Sequence, residues 1–283
     1  MEPILQVKDL TYIYSIGTPF EHKALDNVNF SLEPGEFVGV IGHTGSGKST
    51  LMHQLNGLLK PTSGQVLLGG QDIWSDKKQT RQARFRVGLV FQYPEYQLFE
   101  ETVYKDIAFG PTNMGLTKEE IDRRVREAAG FVGLTEQQLS VSPFDLSGGQ
   151  KRRVAIAGVI AMEPEVLILD EPTAMLDPRG RKDVMETIEK LNREKGITIV
   201  LITHHMDEAA MAQRVIVLDK GKVASDGTPK EVFAQVEMLH GMGLAAPDTV
   251  ELCEALNRKG AALPLNALTP EECAQALLKW LKA

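Results

Sequence analysis

A glycine-rich segment near the start of the chain has the residues needed to bind a polyphosphate. It is Gly42-His43-Thr44-Gly45-Ser46-Gly47-Lys48-Ser49-Thr50, which fits the pattern G-x-x-x-x-G-K-[ST]. Glycines let backbone N–H groups curl around phosphate oxygens, and a following helix offers its positive end. Lys48 would reach the β- and γ-phosphates of ATP, and Ser49 would bind Mg²⁺. The segment predicts a nucleotide site, if a strand precedes it and a helix follows.

A pair of carboxylates follows the apolar run Leu167-Ile168-Leu169. Asp170 would hold Mg²⁺ directly or through water, and Glu171 would orient and polarise the attacking water. Adjacent strand residues face opposite ways, so the two acids can serve one site only where the strand gives way to a loop. We expect Pro172 to end the strand there. The alternative is a pair of solvated acids with no shared role.

A second glycine-rich segment, Leu146-Ser147-Gly148-Gly149-Gln150, precedes a predicted helix over 151–162. Ser147 is a plausible helix cap, which alone would explain it. Two glycines before a helix also make an anion site. Lys151-Arg152-Arg153 could suggest nucleic acid, but we expect these cations to form the exposed first turn of the helix.

The elements that must position these residues follow from the apolar pattern. Strands are predicted at 4–7, 28–32, 37–41, 66–68, 87–91, 166–169, 198–203 and 215–218. Helices are predicted at 49–59, 119–132, 151–162, 179–195, 230–239, 248–259 and 270–282. Thr117 to Glu120 resembles a capping box. The later strands are nearly all apolar, as parallel strands covered on both faces are. The glycine-rich loop thus lies between a strand and a helix, as its motif requires.

Composition excludes several classes of protein. The chain has 283 residues, a net charge of −7 and a pI of about 5.5, which argues against a general affinity for nucleic acid. The two cysteines, Cys253 and Cys273, favour a reducing compartment over a disulfide framework. No signal-peptide pattern and no run near the roughly 18 apolar residues that cross a bilayer is present. We expect a chain that contacts a membrane only through protein partners.

These ordered motifs resemble the ATP-binding cassette (ABC) family over roughly residues 4–228. The resemblance implies an α/β fold: a P-loop core of mostly parallel sheet, an antiparallel β subdomain, an inserted helical subdomain and a C-terminal helical appendage. It implies an ATP-binding domain over 1–228, with helices at about 95–160, and a dimerisation-type domain over 229–283. It also implies that Ser147, Gly148, Gly149 and Gln150 contact the γ-phosphate of ATP held by another subunit.

The same resemblance assigns the smaller pieces of the site. Gln92 matches the glutamine that touches Mg²⁺ and the water, and His204 matches the histidine that contacts the γ-phosphate. Asp177 matches a loop that touches the opposite subunit. Tyr14 matches the aromatic that stacks on adenine, with Tyr12 as the alternative. His205 stands where an acid is usual and Met175 where a smaller residue is commoner, and neither change removes a catalytic group.

Motifs that are more specific to one group within the family follow Gln92. They are Tyr93-Pro94-Glu95-Tyr96-Gln97-Leu98-Phe99, then Thr102-Val103 and Asp106 to Pro111. Together with Gly17 to Glu21 and Thr203 to Met206 they resemble an energy-coupling-factor (ECF) transporter ATPase, the second of two related ATPases, close to cobalt-transport ATPases. The alternative is an ordinary linker of the helical subdomain. The resemblance implies an ATP- and Mg²⁺-dependent ATPase that powers uptake of vitamins or transition-metal ions.

The resemblance also implies partners. They are a second homologous ATPase, in a homodimer or heterodimer, a transmembrane coupling protein that contacts about Gln92–Pro111, and substrate-binding membrane subunits, with no nucleic acid. The chain would work at the cytoplasmic face of the cell membrane. The alternatives are a cassette of a conventional importer or exporter, and a non-transport ABC ATPase acting on DNA or ribosomes. Basic extensions or paired cassettes, which are usual in the last class, are not seen in the sequence.

Overall fold

The computed structural model describes residues 2–282. Its strands are β1 (Leu5–Tyr14), β2 (His22–Leu32), β3 (Phe37–Ile41), β4 (Ser63–Leu68), β5 (Gln71–Asp72), β6 (Val87–Val90), β7 (Val166–Asp170), β8 (Thr198–Ile202), β9 (Arg214–Asp219) and β10 (Lys222–Gly227). They form an antiparallel sheet in the order β2-β1-β4-β5 and a second sheet in the order β10-β9-β3-β8-β7-β6. In the second sheet only the β9–β10 pair is antiparallel. The predicted fold class is confirmed.

The helices lie between and after these strands. They are α1 (Lys48–Leu55), α2 (Lys77–Arg86), α3 (Val103–Asn113), α4 (Lys118–Phe131), α5 (Glu136–Leu139), α6 (Gly148–Ile160), α7 (Pro178–Lys195), α8 (Met206–Ala209), α9 (Pro229–Phe233), α10 (Val236–Gly241), α11 (Asp248–Asn257) and α12 (Pro270–Leu281). Short 3₁₀ turns occur at Pro94–Gln97 and Pro143–Asp145. Within residues 2–282, no helix combines the length and the apolar character that crossing a membrane demands.

The parallel sheet is buried on both faces because its strand residues alternate between two cores. Leu167 and Leu169 of β7 pack with the helical layer formed by α3, α4, α6 and α7. Val166 and Ile168 of the same strand pack on the other side, against α1 and the antiparallel sheet. A strand exposes successive side chains to opposite faces, so a run without polar residues needs a cover on each. Both covers are present here.

The order of the parallel strands brings the predicted site together. β3, β8, β7 and β6 are neighbours and run in the same direction. Their carboxyl ends therefore meet at one edge of the sheet. The phosphate loop follows β3, His204 follows β8, Glu171 follows β7 and Gln92 follows β6. Residues far apart in the sequence thus lie at one edge of the sheet.

Some predicted elements were wrong or missing. The helix predicted at 230–239 is two helices, α9 and α10, and strands β5 and β10 were not predicted. β10 reads Lys-Val-Ala-Ser-Asp-Gly and has no buried residue, so it lacks the apolar alternation of a core strand. α2 was also missed, because only Thr80 and Ala83 of its ten residues are buried. These edge elements carry too little apolar patterning for sequence-based prediction.

The capping box predicted before α4 is only half formed. Thr117 Oγ1 accepts from the N–H of Glu120 at 3.3 Å, as a cap should. The Glu120 carboxylate does not return to the N-cap, however, and instead accepts from Arg123 and Arg124, which lie one turn further along the helix. Ion pairs three and four residues apart compete with the cap for the same carboxylate.

The C-terminal helices divide between two clusters. α9, α10 and Val250 of α11 pack against Ile41, Val215 and Val217 of the parallel sheet. Cys253 and Cys273 pack in a separate small cluster between α11 and α12, with their sulfurs 3.9 Å apart and no bond between them. Residues from α9, α10 and α11 thus share a core with the parallel sheet.

Candidate nucleotide site

A cavity of about 550 Å³ opens at the carboxyl edge of the parallel sheet. It is lined by Tyr14, His22, Ala24, Thr44, Gly45, Gly47, Lys48, Ser49, Thr50, Gln92, Asp170, Glu171 and His204. Its volume falls in the range of roughly 300–1,000 Å³ that is usual for ligand sites. An apolar crevice between α4, α6 and α7 has about half this volume, 270 Å³, and none of the predicted site residues lines it. The chemistry of the chain therefore lies in the larger, polar cavity.

The phosphate loop presents unused donors to this cavity. α1 begins at Lys48 after Gly47, and no side chain of residues 2–282 caps its N-terminus. The first N–H groups of a helix have no partner within the helix and carry its positive end. The hydroxyls of Ser49 and Thr50 line the same space. This donor set suits the oxygens of a polyphosphate.

Lys48 is held inside the loop rather than out in solvent. Its Nζ donates to the carbonyl of Gly42 at 2.6 Å and to that of His43 at 3.0 Å, and the residue is 6% exposed. Burial lowers the pKa of Lys48, and the charges of Glu171 and Asp170 partly oppose that shift. Neighbouring carbonyls aim the ammonium group into the cavity.

His43 and Ser46 support the loop from outside the cavity lining. His43 Nε2 lies 3.0 Å from Asp219 Oδ1 at the end of β9, and its Nδ1 lies 2.7 Å from the Thr44 carbonyl. Ser46 Oγ is buried and finds no partner among residues 2–282. These two predicted site residues are thus part of the loop but do not face the cavity.

Asp170 and Glu171 both line the cavity although they are adjacent in sequence. The reason is the backbone of Glu171, whose φ of 47° is left-handed and breaks the alternation of β7. We attributed the change of direction to Pro172, and the structure places it one residue earlier. Burial, followed by the charge of Glu171, raises the pKa of Asp170 to about 6.

Glu171 is the centre of a hydrogen-bonded group. Its Oε2 accepts from Gln92 Nε2 at 2.8 Å, and its Oε1 lies 2.8 Å from His204 Nε2. Burial and the charge of Lys48 lower the pKa of His204. This favours a neutral ring, which has a single N–H donor. The carboxylate, the amide and the imidazole are thus joined to one another at the cavity wall.

Tyr14 lines the cavity, whereas Tyr12 packs against the core beneath it. The Tyr14 hydroxyl lies 3.1 Å from Thr50 Oγ1, and the ring meets that of Tyr12 edge-on at 4.7 Å. His22 and Ala24 of β2 also line the cavity and were missed, because a strand residue carries no local signal of this role. The geometry favours Tyr14 over Tyr12 as the aromatic wall.

The second glycine-rich segment is absent from the cavity. Among residues 2–282 that line it, none belongs to Ser147–Gln150, and Asp177 is also outside. Ser147 and Gln150 instead form a capping box at the start of α6, with Ser147 N donating to Gln150 Oε1 at 2.9 Å. Asp177 caps α7 through Gly180 N at 2.7 Å. One chain therefore holds two separate groups of predicted site residues.

One of the cations after this segment contradicts our expectation. Arg152 is 2% exposed, not part of an exposed first turn. It pairs with Glu95 at 3.0 Å and donates to the carbonyls of Pro172 and Ala174. The helix begins at Gly148 rather than at Lys151, which turns Arg152 inward. A basic tripeptide gives no sequence signal of this.

The chain is similar to known proteins. The ABC transporter family model matches residues 25–174. The Energy-coupling factor transporter ATP-binding protein EcfA2 of Caldanaerobacter subterraneus subsp. tengcongensis is 49% identical over 279 residues, which is 98% of each chain.

This chain belongs to the ABC transporter family. Its full-length match to an energy-coupling factor ATP-binding protein places it in that group and confirms the resemblance drawn from the motifs. The chain is accordingly an ATP-binding cassette and an ATPase.

Solved cassettes have the same fold. The structure of cbiO1 from Clostridium perfringens, part of the ABC transporter complex cbiONQ, superposes with a TM-score of 0.75 at 43% identity and covers 85% of this chain and 94% of its own. The cassette MJ0796, a dimer bound to ADP and Pi in a post-hydrolysis state, superposes with a TM-score of 0.71 at 32% identity, over 79% of this chain and 98% of its own. The fold of this chain is therefore that of cassettes known both in a transporter complex and as a dimer.

Proposed function

We propose that this ABC ATPase is one of two cassettes that close around ATP to drive an ECF-type importer. The observation that carries the proposal is the separation of the two groups of site residues. One group lines the nucleotide cavity, and Ser147–Gln150 and Asp177 lie outside it. A site that needs both groups must take the second from another cassette, either a copy of this chain or a related one.

Within the cavity we assign each residue a role in phosphoryl transfer. Lys48 and the N–H groups of residues 42–50 would bind the β- and γ-phosphates. Tyr14 would stack on adenine, because its aromatic ring lines the cavity and two planar rings can pack face to face. Glu171 would accept a proton from the attacking water, while Gln92 and His204 fix the orientation of its carboxylate through the bonds at 2.8 Å. His204 would also contact the γ-phosphate, and its single N–H would then donate to that phosphate in place of Glu171.

Mg²⁺ fits the oxygens that surround the phosphate position. Ser49, Gln92 and Asp170 would hold it, directly or through water, and the phosphates would complete its shell. Within residues 2–282 no cluster of His, Cys, Asp and Glu forms a metal cage by itself. This agrees with an ion that is bound together with the nucleotide. When bound, it would neutralise charge that develops on the transferred phosphoryl group.

An exposed aromatic cluster supports docking of a membrane partner. Tyr96 is 84% exposed and Phe99 is 57% exposed, and Phe99 meets Phe109 edge-on at 4.9 Å. Exposed aromatic groups of this size mark interaction surfaces. We assign the surface around Gln92–Pro111 to a transmembrane coupling protein, which would join substrate-binding membrane subunits that carry a vitamin or a transition-metal ion. The chain would then work at the cytoplasmic face of the membrane.

The C-terminal helices would help to hold the two cassettes together. α12 exposes Leu278, Trp280 and Leu281, which leaves an apolar side unpartnered within residues 2–282. In this proposal residues 1–228 form the ATPase domain, with its helical subdomain at about 95–160, and residues 229–283 form the dimerisation domain.

Recovery of the tagged chain from detergent-solubilised membranes of its own cell, followed by mass spectrometry, tests the proposal. A second cassette, a coupling membrane protein and small membrane subunits are the expected result, and the small subunits would name the substrates. Recovery with a conventional two-domain permease would overturn the ECF assembly and keep the ATPase chemistry. Recovery with DNA-bound or ribosomal proteins alone would overturn the transport function.

A further inference from the structure

The backbone of Glu171 is held in an unusual conformation. Its φ of 47° lies in the left-handed region, which residues other than glycine seldom adopt. Its N–H donates to the Ile202 carbonyl at 2.8 Å, and its own carbonyl accepts from Ala174 N at 3.0 Å. A conformation of this kind persists only when its surroundings determine it. The turn 172–174, which follows Glu171, is therefore the place to look for the groups that do so.

A buried cation contacts this turn on the side of the helical layer. Arg152 Nη1 donates to the Pro172 carbonyl at 3.0 Å and to the Ala174 carbonyl at 2.9 Å. The other edge of its guanidinium donates to both oxygens of Glu95, at 3.0 and 3.2 Å. The fork geometry of arginine suits these simultaneous contacts. Arg152 therefore fixes the backbone on either side of Thr173.

A buried anion contacts the same turn on the opposite side. Glu208 is 3% exposed, and its Oε1 accepts from Thr173 Oγ1 at 2.7 Å and lies 3.2 Å from Arg181 Nη2. Its Oε2 accepts at 2.6 Å from Thr203 Oγ1, the residue before His204. One carboxylate thus joins the loop after β7, the end of β8 and the first turns of α7.

The short helix that carries Glu208 is itself anchored. The next residue, Ala209, is fully buried in the cluster formed by the sheet and the C-terminal helices, together with Phe233 and Val250. Ala209 also lies 3.4 Å from the position where a Cβ on Gly39 of β3 would stand. Glu208 is therefore held from behind by close packing, and its carboxylate meets the turn from a fixed position.

We propose that Arg152 and Glu208 are positioning residues that clamp the turn 172–174 and so hold Glu171 in the orientation needed for hydrolysis. Arg152 holds the turn by its backbone, and Glu208 holds it by the hydroxyl of Thr173. Through Thr203, Glu208 also holds the segment that carries His204. This keeps the His204 ring at hydrogen-bond distance, 2.8 Å, from the Glu171 carboxylate. The inference rests on the proposed role of Glu171.

Thr173→Val tests the clamp without leaving a buried charge unpaired, since Glu208 keeps Arg181 and Thr203. In the full chain, within the complex recovered from membranes, kcat should fall by about 10–100-fold, as expected for one lost hydrogen bond to a charged group. KM for ATP should not change, because Thr173 lies outside the cavity lining. Thr80→Val is the matched control: Thr80 is buried and donates to the Ile73 carbonyl at 2.8 Å, far along the chain from the site.

A combination of substitutions separates positioning from stability. If the clamp acts through Glu171, then Thr173→Val should lower turnover in the native chain and cost nothing further in Glu171→Gln, measured with radiolabelled ATP over long incubations. Arg152→Lys should behave in the same way, because one ammonium cannot serve both Glu95 and the two carbonyls. The drop in kcat should persist at temperatures far below unfolding.

Three results would overturn the clamp. An equal loss of turnover in the native and Glu171→Gln backgrounds would show that Thr173 does not act through Glu171. A kcat for Thr173→Val equal to that of Thr80→Val would give Thr173 a structural role alone. A rise in KM with unchanged kcat would place the effect in ATP binding. Near-normal hydrolysis by Glu171→Gln would differ from all of these, since it would remove the proposed role of Glu171 together with the clamp.

Discussion

The two glycine-rich segments of this chain differ in what their glycines touch. In the phosphate loop, a Cβ on Gly42 would stand 2.4 Å from the Leu218 carbonyl, and one on Gly47 would stand 2.5 Å from the Ala24 carbonyl. Gly47 also has a φ of 106°. At Gly148 and Gly149, apart from the adjoining residues and the nearby backbone of α6, no atom of residues 2–282 lies within 4 Å of the added carbon. The fold of this chain demands glycine in the first segment and not in the second.

The difference supports the proposal that the two halves of the site act in different chains. The first loop is shaped by its own chain around a cavity that is already built, with Lys48 and Glu171 in place. The second lies at the start of α6 with open space above its glycines, which leaves room for a group that approaches from outside the chain. A nucleotide held by another cassette meets that description. Substitutions in the two segments should therefore fail in different ways.

Glu171→Gln should give the largest effect. Turnover should fall by roughly 10²–10⁴-fold, the usual contribution of a general base. ATP binding should remain, because the amide keeps the shape of the side chain and Lys48 is untouched. Steady-state ATPase and fluorescent-nucleotide titration measure the two. Glu186→Gln on the exposed face of α7 is the control. Hydrolysis near the native rate would remove Glu171 from the water-activating role.

Gly149→Asp should separate folding from turnover. Space is open at this position, and a carboxylate near the N-terminus of a helix stabilises it by about 0.3–1 kcal/mol, so the unfolding temperature should not fall. Turnover should fall by about 100-fold, because the charge would repel the γ-phosphate. Gly130→Asp on α4, where space is also open, should leave turnover unchanged. If Gly149→Asp failed to fold, the conclusion that the fold does not require glycine in the second segment would be wrong.

Lys48→Ala should act within one chain. Loss of a charged hydrogen-bond donor should weaken ATP binding by about 10–100-fold, on the scale of 1.5–3 kcal/mol for such bonds. The isolated Gly149→Asp chain, in contrast, should bind ATP with the same affinity as the isolated native chain. Lys8→Ala, an exposed lysine of β1, serves as the control. Isothermal titration measures the ATP affinity of each variant. An equal loss of affinity in Lys48→Ala and Gly149→Asp would show that both segments bind ATP within one chain.

Tyr96→Ser should give the smallest effect on nucleotide chemistry and the clearest effect on assembly. The ring is 84% exposed and lies outside the cavity, so ATP binding by the chain should not change, while recovery of the membrane subunit should drop. Phe20→Ser is the matched control, since Phe20 is 82% exposed on the loop between β1 and β2. Equal recovery of the membrane subunit by both variants would place the docking surface elsewhere.

Sequence patterns predicted those parts of the fold that local chemistry determines. The apolar runs at β7 and β8 predicted buried parallel strands because a strand covered on both faces has no polar positions. They could not predict β10, because it has no buried residue and so lacks the apolar alternation of a core strand. Gln92 and His204 were assigned from the family resemblance, and Glu171 from its position after an apolar strand. Their hydrogen bonds depend on the order of the strands.

The burial of Arg152 and Glu208 lay beyond such patterns. Charged residues are seldom buried, and these two are buried because partners from other segments of the chain contact them. No local signal reports a carbonyl or a hydroxyl supplied by residues elsewhere in the chain. Their role at the turn after Glu171 could be recognised only from the structure.

We propose that the second glycine-rich segment completes a site on another cassette. Light scattering on the Glu171→Gln chain, alone and mixed with the cassette recovered from membranes, tests it most directly. We expect the cassettes to associate in the presence of ATP and Mg²⁺ and not in the presence of ADP. Adding Gly149→Asp to the Glu171→Gln chain should abolish that association. A Glu171→Gln chain that binds ATP and stays unassociated under both conditions would contradict it.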